Sequence, residues 1–378
     1  MPLMDNSSLV FQTPEIVSRF SSQNTNEKRF VNACPQPSSS SFEQEKNVSH
    51  RLLHIRRHIQ NKGLSKQASK VITASWRHST NKQYEYPWRA WMLWCDKRNI
   101  NPITPNEVDI INYLSSLCSE NKSYSCVNTH KCAIGQTLAS LGNDKFVSSP
   151  FIARFMKGIF NLKPPIPRYK EFWDVKKVLE FLASQFPLES LSLKMLTLKT
   201  IALLALSTAQ RSQTLSMLNI NNMNLTEDYV VFSIQNLHKT SKLGNLKLDL
   251  KINAFHQKGI CPVFTIKRYI EMTKEKRKSE KLLVSFKTYE MVTSSTIARW
   301  LKEVLQLSGI DVSNFKAHSF RGATTSAAYM AGVTLQDILQ TANWGSAKTF
   351  HKFYHRDVVD HQLNFSHSVL SEYMQAPG

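Results

Sequence analysis

The sequence predicts a mainly helical fold with a small antiparallel β-sheet, divided into an all-helical N-terminal domain and a mixed α+β C-terminal domain. Three observations carry this expectation. Apolar residues recur at helical spacing up to about residue 162, and no strand signal appears before residue 160. Lys163-Pro-Pro-Ile-Pro-Arg168 then interrupts the chain as a stiff joint poor in hydrogen-bond donors. Beyond it, Leu246-Lys-Leu-Asp-Leu-Lys-Ile252 alternates apolar and polar residues without a break, as a half-buried strand does. The expected division is a tail and basic arm over 1–62, a helical domain over 63–162, a linker over 163–172 and a second domain with a C-terminal tail over 173–378.

The elements follow in chain order. Residues 1–50 are rich in Ser, Asn and Gln, with an unbroken run from Ser38 to Ser41, and read as a disordered tail. Residues 51–70 carry Arg51, Arg56, Arg57, Lys62, Lys66 and Lys70 without one acid, a basic arm suited to phosphate or to solvent. Tyr84, Trp88, Trp91 and Cys95 fall on one helical face, in which Pro87 should introduce a kink or mark a late start. Thr104 before Pro105, with Glu107 behind, resembles a capping box. It should open a helix that buries Ile110, Ile111, Leu114, Leu117 and Cys118. A further helix is expected from Ser123 to Leu141, ended by Gly142-Asn143. In the second domain Leu198 to Leu206 reads as a buried helix and Tyr229 to Ile234 as a strand. Gly244-Asn245 suits a turn between that strand and the alternating one. Asn314 and Thr334 are expected N-caps, Gly332 a helix stop, and Ser346 the opening of a last short helix.

Composition narrows the partner. The chain of 378 residues holds 48 Lys and Arg against 28 Asp and Glu, a formal net charge of +20 that repels itself in a compact fold and points to a polyanion. Nucleic acid leads, because neutralising phosphates with Lys and Arg supplies most non-specific affinity. No stretch reaches the ~20 apolar residues of a membrane span, and the first residues lack the pattern of a signal peptide. The six cysteines are scattered and make no disulfide framework. Cys126, His130 and Cys132 lack the paired spacing of a zinc site, so the cysteines read as thiols of a reducing compartment.

Within the second domain, phosphate-capable residues recur in order. His318-Ser-Phe-Arg321 puts two such side chains on one helical face. Alone that pattern is cheap, since His54-Ile-Arg-Arg57 has it too. Arg211 follows the apolar helix, where a charge at the end of so buried an element needs a partner such as phosphate. Lys239 lies between the two strand candidates, with Lys242 as the alternative on the same turn. Trp344 and then Tyr354, in Phe350-His-Lys-Phe-Tyr-His-Arg356, complete the series.

This ordered set resembles the signature of the tyrosine recombinase (phage integrase) family over roughly residues 65–360. The wording around Lys239-Thr-Ser-Lys242 and Ala342-Asn-Trp344 is similar to recombinases of DIRS-like and crypton-like eukaryotic mobile elements. The resemblance implies a helical core-binding domain and a mixed catalytic domain forming a C-shaped clamp around double-stranded DNA. It also implies a tetramer assembled on two DNA sites, the tail containing Val369, Leu370 and Tyr373 packing on a neighbour. Tyr354 would attack the scissile phosphorus to leave a 3′-phosphotyrosyl bond and a free 5′-hydroxyl. Arg211 and Arg321 would clamp the non-bridging oxygens, and Lys239 would protonate the departing 5′-oxygen. His318 would hydrogen-bond the phosphate or accept the tyrosine proton, and Trp344 would pack the pocket and offer its indole N–H. Neither metal nor nucleotide is implied, and the sequence carries neither a carboxylate cluster nor a Gly-rich Walker loop. The place of action would be the nucleus in a eukaryote and the cytoplasm otherwise.

Three departures from the family pattern stand out. The spacing from Trp344 to Tyr354 is one residue longer than usual, Gln213 and Thr214 stand where an acid commonly follows the first Arg, and Trp344 replaces the commoner His. None removes a catalytic group, so retained activity is expected. A catalytically silent DNA-binding scaffold, a type IB topoisomerase and an RNA-binding or structural nuclear protein are the competing readings.

Overall fold

In a computed structural model of the chain, the described residues are 50–165, 169, 171–235, 239, 241, 248–347 and 350–351. Tyr354, Lys242, the N-terminal 49 residues and the C-terminal tail lie outside them. The chain divides into two compact units after Ile166, inside the proline-rich joint.

Among its described residues the first unit is all-helical: α1 (His50–Asn61), α2 (Lys66–Thr73), α3 (His78–Asp96), α4 (Glu107–Ser119), α5 (Tyr124–Ser140) and α6 (Pro150–Leu162). The expected basic arm is corrected here. Leu52, Ile55 and Ile59 recur at helical spacing and join the core of Trp88, Trp91, Ile110, Leu114, Ile134 and Met156, so α1 belongs to the helical unit. Arg51 is fully buried, its guanidinium 4.9 Å from the Trp76 ring and 5.4 Å from the Tyr84 ring. Burial pushes its pKa down to about 10. Pro87 marks no late start, since α3 begins nine residues earlier and runs through it.

The capping box of α4 also sits two residues beyond the expected one. Asn106 Oδ1 accepts from Asp109 N at 2.8 Å, and Asp109 Oδ2 accepts from Asn106 N at 2.9 Å. Thr104 is held out of the helix because its N–H, with that of Ile103, turns to Asn101 Oδ1. Glu107 accepts instead from Ser149 Oγ, tying α4 to the cap of α6. Inside the unit the Tyr113 hydroxyl meets His130 Nδ1 at 2.7 Å, and burial pushes the His130 pKa down to about 4. Among the described residues no three His, Cys, Asp or Glu side chains gather as a metal-ligand set, and no helix is long and apolar enough to cross a membrane.

The second unit is mixed. Its helices are α7 (Val175–Ser184), α8 (Leu193–Thr208), α9 (Ser212–Leu215), α10 (Pro262–Thr273), α11 (Ser294–Leu307), α12 (Ser319–Met330) and α13 (Leu335–Thr341). Strands β1 (Met223–Leu225), β2 (Tyr229–Ile234) and β3 (Leu248–Asn253) form an antiparallel sheet in that order. Helix α8 is apolar all round, the pattern of a helix enclosed on every side. It is the axis of the unit, in a core shared with α7, α10, α11 and the sheet. Lys199 lies in its middle, fully buried, and its Nζ donates to Leu182 O at 2.8 Å and Gln185 O at 2.6 Å. Those carbonyls belong to the C-terminal end of α7, where Leu182 O also accepts from Gln185 N at 3.2 Å.

The register pairs Phe232 with Leu250 and Val230 with Ile252, which turns their side chains to the core and sends Asp249 and Lys251 outward. The last pair of the register is Ile234 with Leu248, and Lys239 lies in the chain between them. The short strand β1 carries no periodic signal and was not expected. Asn314 does not cap a helix: its Nδ2 donates to Asp311 Oδ2 in a turn, and α12 starts five residues later with His318 at its N-cap. Thr334 does cap α13, accepting from Asp337 N at 3.2 Å. Past Ser346, Ala347, Phe350 and His351 have helical backbone.

Candidate functional site

The site is built where the C-terminal ends of α8 and α13 meet the first turn of α12. Helix α8 stops at Ala209, whose φ of 50° is left-handed, a conformation that costs an alanine about 1–2 kcal/mol. That turn reverses the chain at once and puts Arg211 at the N-cap of α9. Gln210, between them, is buried and donates through Nε2 to Thr341 O at 2.7 Å, fastening the reversal to α13.

Arg321 closes the same junction from the third side. It is 1% exposed, and it donates from Nη1 to Ala209 O at 2.8 Å and from Nη2 to Ala342 O at 2.5 Å. A cation facing two helix C-termini is favoured by the helix dipoles. Its guanidinium also lies 4.4 Å from the Trp344 ring centroid, a cation–π contact. Trp344 is held in turn by a small apolar cluster of Ala209, Ile338, Ala342 and Phe350. Asn343, before it, takes a left-handed φ of 50° that asparagine tolerates.

Lys239 enters this cluster from the β2–β3 connection. It is exposed as a residue, yet its ammonium pKa is pushed down to about 8, by lost hydration and then by repulsion from Arg211 and Arg321. Its ammonium thus stands in the field of both guanidinium groups, which water screens in part. His318 is half-buried at the N-cap of α12, three residues before Arg321.

The two helices that begin at expected site residues share an irregularity. Arg211 and His318 occupy N-cap positions but form no side-chain cap hydrogen bond, whereas Ser, Thr, Asn, Asp or Cys caps most of the other helices. Local rules are most often broken where side chains are reserved for function.

Of the six expected residues, Arg211, Lys239, Arg321 and Trp344 are thus brought together, and His318 lies on the same turn as Arg321. Tyr354 lies outside the described residues, as does Lys242. Sequence reading missed Gln210, Phe350 and the left-handed Ala209. Phe350 is fully buried, its ring centroid 6.0 Å from that of Trp344 and 5.5 Å from that of Tyr329. A glutamine and an alanine beside an arginine carry no signal until the fold closes on them. Phe350 was visible only as an aromatic four residues ahead of Tyr354.

Among solved structures, the chain is similar to the XerH site-specific recombinase bound to palindromic difH substrate in a post-cleavage complex. The TM-score is 0.57 at 15% identity, over 86% of this chain and 90% of that one. A pre-cleavage XerH complex with difH substrate gives 0.53 at 16% identity, over 81% and 93%. The Tn1549 transposon integrase in complex with transposon right end DNA gives 0.52 at 13% identity, over 85% and 99%. At these identities the likeness establishes the fold, that of the tyrosine recombinases. A comparison with curated protein sequences finds no match. The sequence pattern of the phage integrase family matches residues 173–359, the whole span that holds the arginines, the lysine and Trp344. Over that span the chain carries a domain of the phage integrase family, the tyrosine recombinases.

Proposed function

We propose that this protein cuts and rejoins double-stranded DNA through Tyr354. The convergence of Arg211, Lys239 and Arg321 beside Trp344 carries the reading. Three cations packed together repel one another, and a phosphodiester placed among them relieves that repulsion. The tyrosine oxygen attacks phosphorus, the P–O5′ bond breaks, and Lys239 gives its proton to the departing oxygen. A lysine pKa near 8 suits that task, because a general acid works best with a pKa near the working pH. His318 takes the proton of the attacking phenol, which at its ordinary pKa of about 10 is otherwise a weak nucleophile.

Arg211 and Arg321 stabilise the charge growing on the non-bridging oxygens. Arg321 commits donors to Ala209 and Ala342, so its contact with phosphate uses others of its five N–H groups. The energy of the broken bond is kept in the phosphotyrosine, and a 5′-hydroxyl reverses the step. The helical unit is the second DNA-gripping element, and the protein works as a tetramer on two DNA sites. Service to a mobile element, in the nucleus of a eukaryotic host or otherwise in the cytoplasm, fits the similarity around Lys239-Thr-Ser-Lys242.

Covalent trapping tests the proposal. Wild type and Tyr354→Phe are incubated with a library of nicked duplexes of randomised core, and DNA that stays attached in denaturant is recovered. The expected result is an adduct with wild type alone. DNA binding without any adduct would overturn the catalytic reading in favour of a silent scaffold. Relaxation of supercoils by a monomer, without strand exchange, would point to a topoisomerase.

A further inference from the structure

We propose that Phe172 and Trp173 are positioning residues that hold the His318–Arg321 turn in register for the phosphate. The inference rests on the reading of His318 and Arg321 as phosphate-handling groups. It starts from the missing cap of α12. With no side-chain cap and no acid in its first turn, the start of that helix is fixed by other parts of the fold. Tyr169, Phe172 and Trp173, which follow the proline-rich joint, supply the contacts.

Trp173 is buried and donates from Nε1 to Ser319 Oγ at 2.8 Å, and Ser319 Oγ donates onward to Lys316 O at 2.7 Å. The Trp173 ring stands edge-on to Phe320, with centroids 5.0 Å apart. Phe172 presses on the backbone of Gly322, where an added Cβ would overlap Cε1 and Cζ of its ring. No side chain fits there while the ring stays. Tyr169 stacks on Phe315 with centroids 5.6 Å apart, just ahead of the turn. The strap therefore touches residues 315, 319, 320 and 322, on both flanks of His318 and Arg321.

A glycine inside a helix destabilises it by about 1 kcal/mol relative to alanine, so Gly322 needs a reason, and the Phe172 ring supplies one. The ring sets how far the first turn of α12 rolls toward the strap, and that roll sets where Arg321 reaches between Ala209 and Ala342. Side chains that act in the transition state tolerate little displacement: an error of about 1 Å costs on the order of a hundredfold in rate.

The experiment pairs Gly322→Ala with Phe172→Ala and the double variant, all in the full chain. Single-turnover adduct formation is measured at saturating DNA, alongside DNA affinity and thermal melting. Gly322→Ala is expected to slow adduct formation at least about tenfold with DNA affinity little changed, and the double variant to recover the rate of Phe172→Ala. Trp173→Phe and Ser319→Ala should each slow the step, and Trp173→Phe should add nothing on top of Ser319→Ala, since the serine variant already lacks the bond from Trp173. If Gly322→Ala fails to fold, this second pair carries the test. The Arg321 Nε–H resonance of the free protein, which needs no cleavage, is expected to shift in Gly322→Ala and to return in the double variant.

Full-rate cleavage by Gly322→Ala, a defect that persists when residue 172 is shortened, or an unmoved Arg321 resonance would overturn the positioning role. Absence of any adduct with wild type would strike the recombinase reading instead, and the resonance would still decide whether the strap sets Arg321.

Discussion

Replacing Arg321 with alanine removes a guanidinium that holds the fold and, in the proposed mechanism, also meets the phosphate. Ala209 O and Ala342 O would lose their donors inside a junction where Arg321 itself is 1% exposed. Each buried carbonyl left without a partner costs about 1–3 kcal/mol. The stack on Trp344, at 4.4 Å, contributes about another 1–2 kcal/mol. Relief from burying a charge offsets part of this, so a net loss of about 3 kcal/mol is expected. Against a typical total of about 5–15 kcal/mol, the variant folds but is weakened.

Arg321→Lys keeps the charge and reaches one carbonyl at a time, so it should lose about half as much, roughly 1–2 kcal/mol. The assay is urea unfolding of the full chain for wild type and both variants, with adduct formation measured only under conditions where each is folded. Expected is the stability order wild type, lysine, alanine, with cleavage lost in both variants because neither presents the forked donors. An alanine variant with the wild-type midpoint would refute the claim that Arg321 ties α8 to α13. A lysine variant that is stable and fully active would refute the need for bidentate geometry.

Other outcomes follow from the titrating groups. At subsaturating DNA the cleavage rate should fall as pH rises through about 8, because the proposed mechanism needs the acid form of Lys239 and its pKa is depressed to about that value. A sulfur in place of the 5′-bridging oxygen needs no proton to leave, so it should flatten that fall and rescue Lys239→Met. For His130, a folded pKa of about 4 lies below the ordinary 6.5, so the helical unit should lose stability as pH drops from about 6.5 toward 4. Melting curves of wild type and His130→Phe across that range check this, the variant being expected to show the shallower slope. Lys199, with a folded pKa of about 8, should make the second unit more stable as pH rises from about 8 to 10.4. Lys199→Met should abolish that gain and, by stripping Gln185 O of its donor while Leu182 O keeps that of Gln185 N, cost about 1–3 kcal/mol at neutral pH in urea unfolding.

Local pattern was enough to read the mainly helical fold with its small antiparallel sheet, the enclosed helix α8 and the strands β2 and β3. Helical spacing and strand alternation arise from backbone geometry, and a proline-rich joint stops both, so these features survive without knowledge of what packs on what. The sequence set Arg211, Lys239, His318, Arg321 and Trp344 in order, but separations of tens of residues say nothing of distance. Tertiary structure alone decided that the ends of α8 and α13 meet at Arg321, that a left-handed Ala209 turns Arg211 back, and that the supposed basic arm buries Leu52, Ile55 and Arg51. It also decided that Asn106, and not the expected Thr104, opens α4, because Asn101 had already claimed the N–H of Thr104. These outcomes depend on which buried polar groups find partners, and a partner contributed from more than a hundred residues away leaves no trace in local sequence.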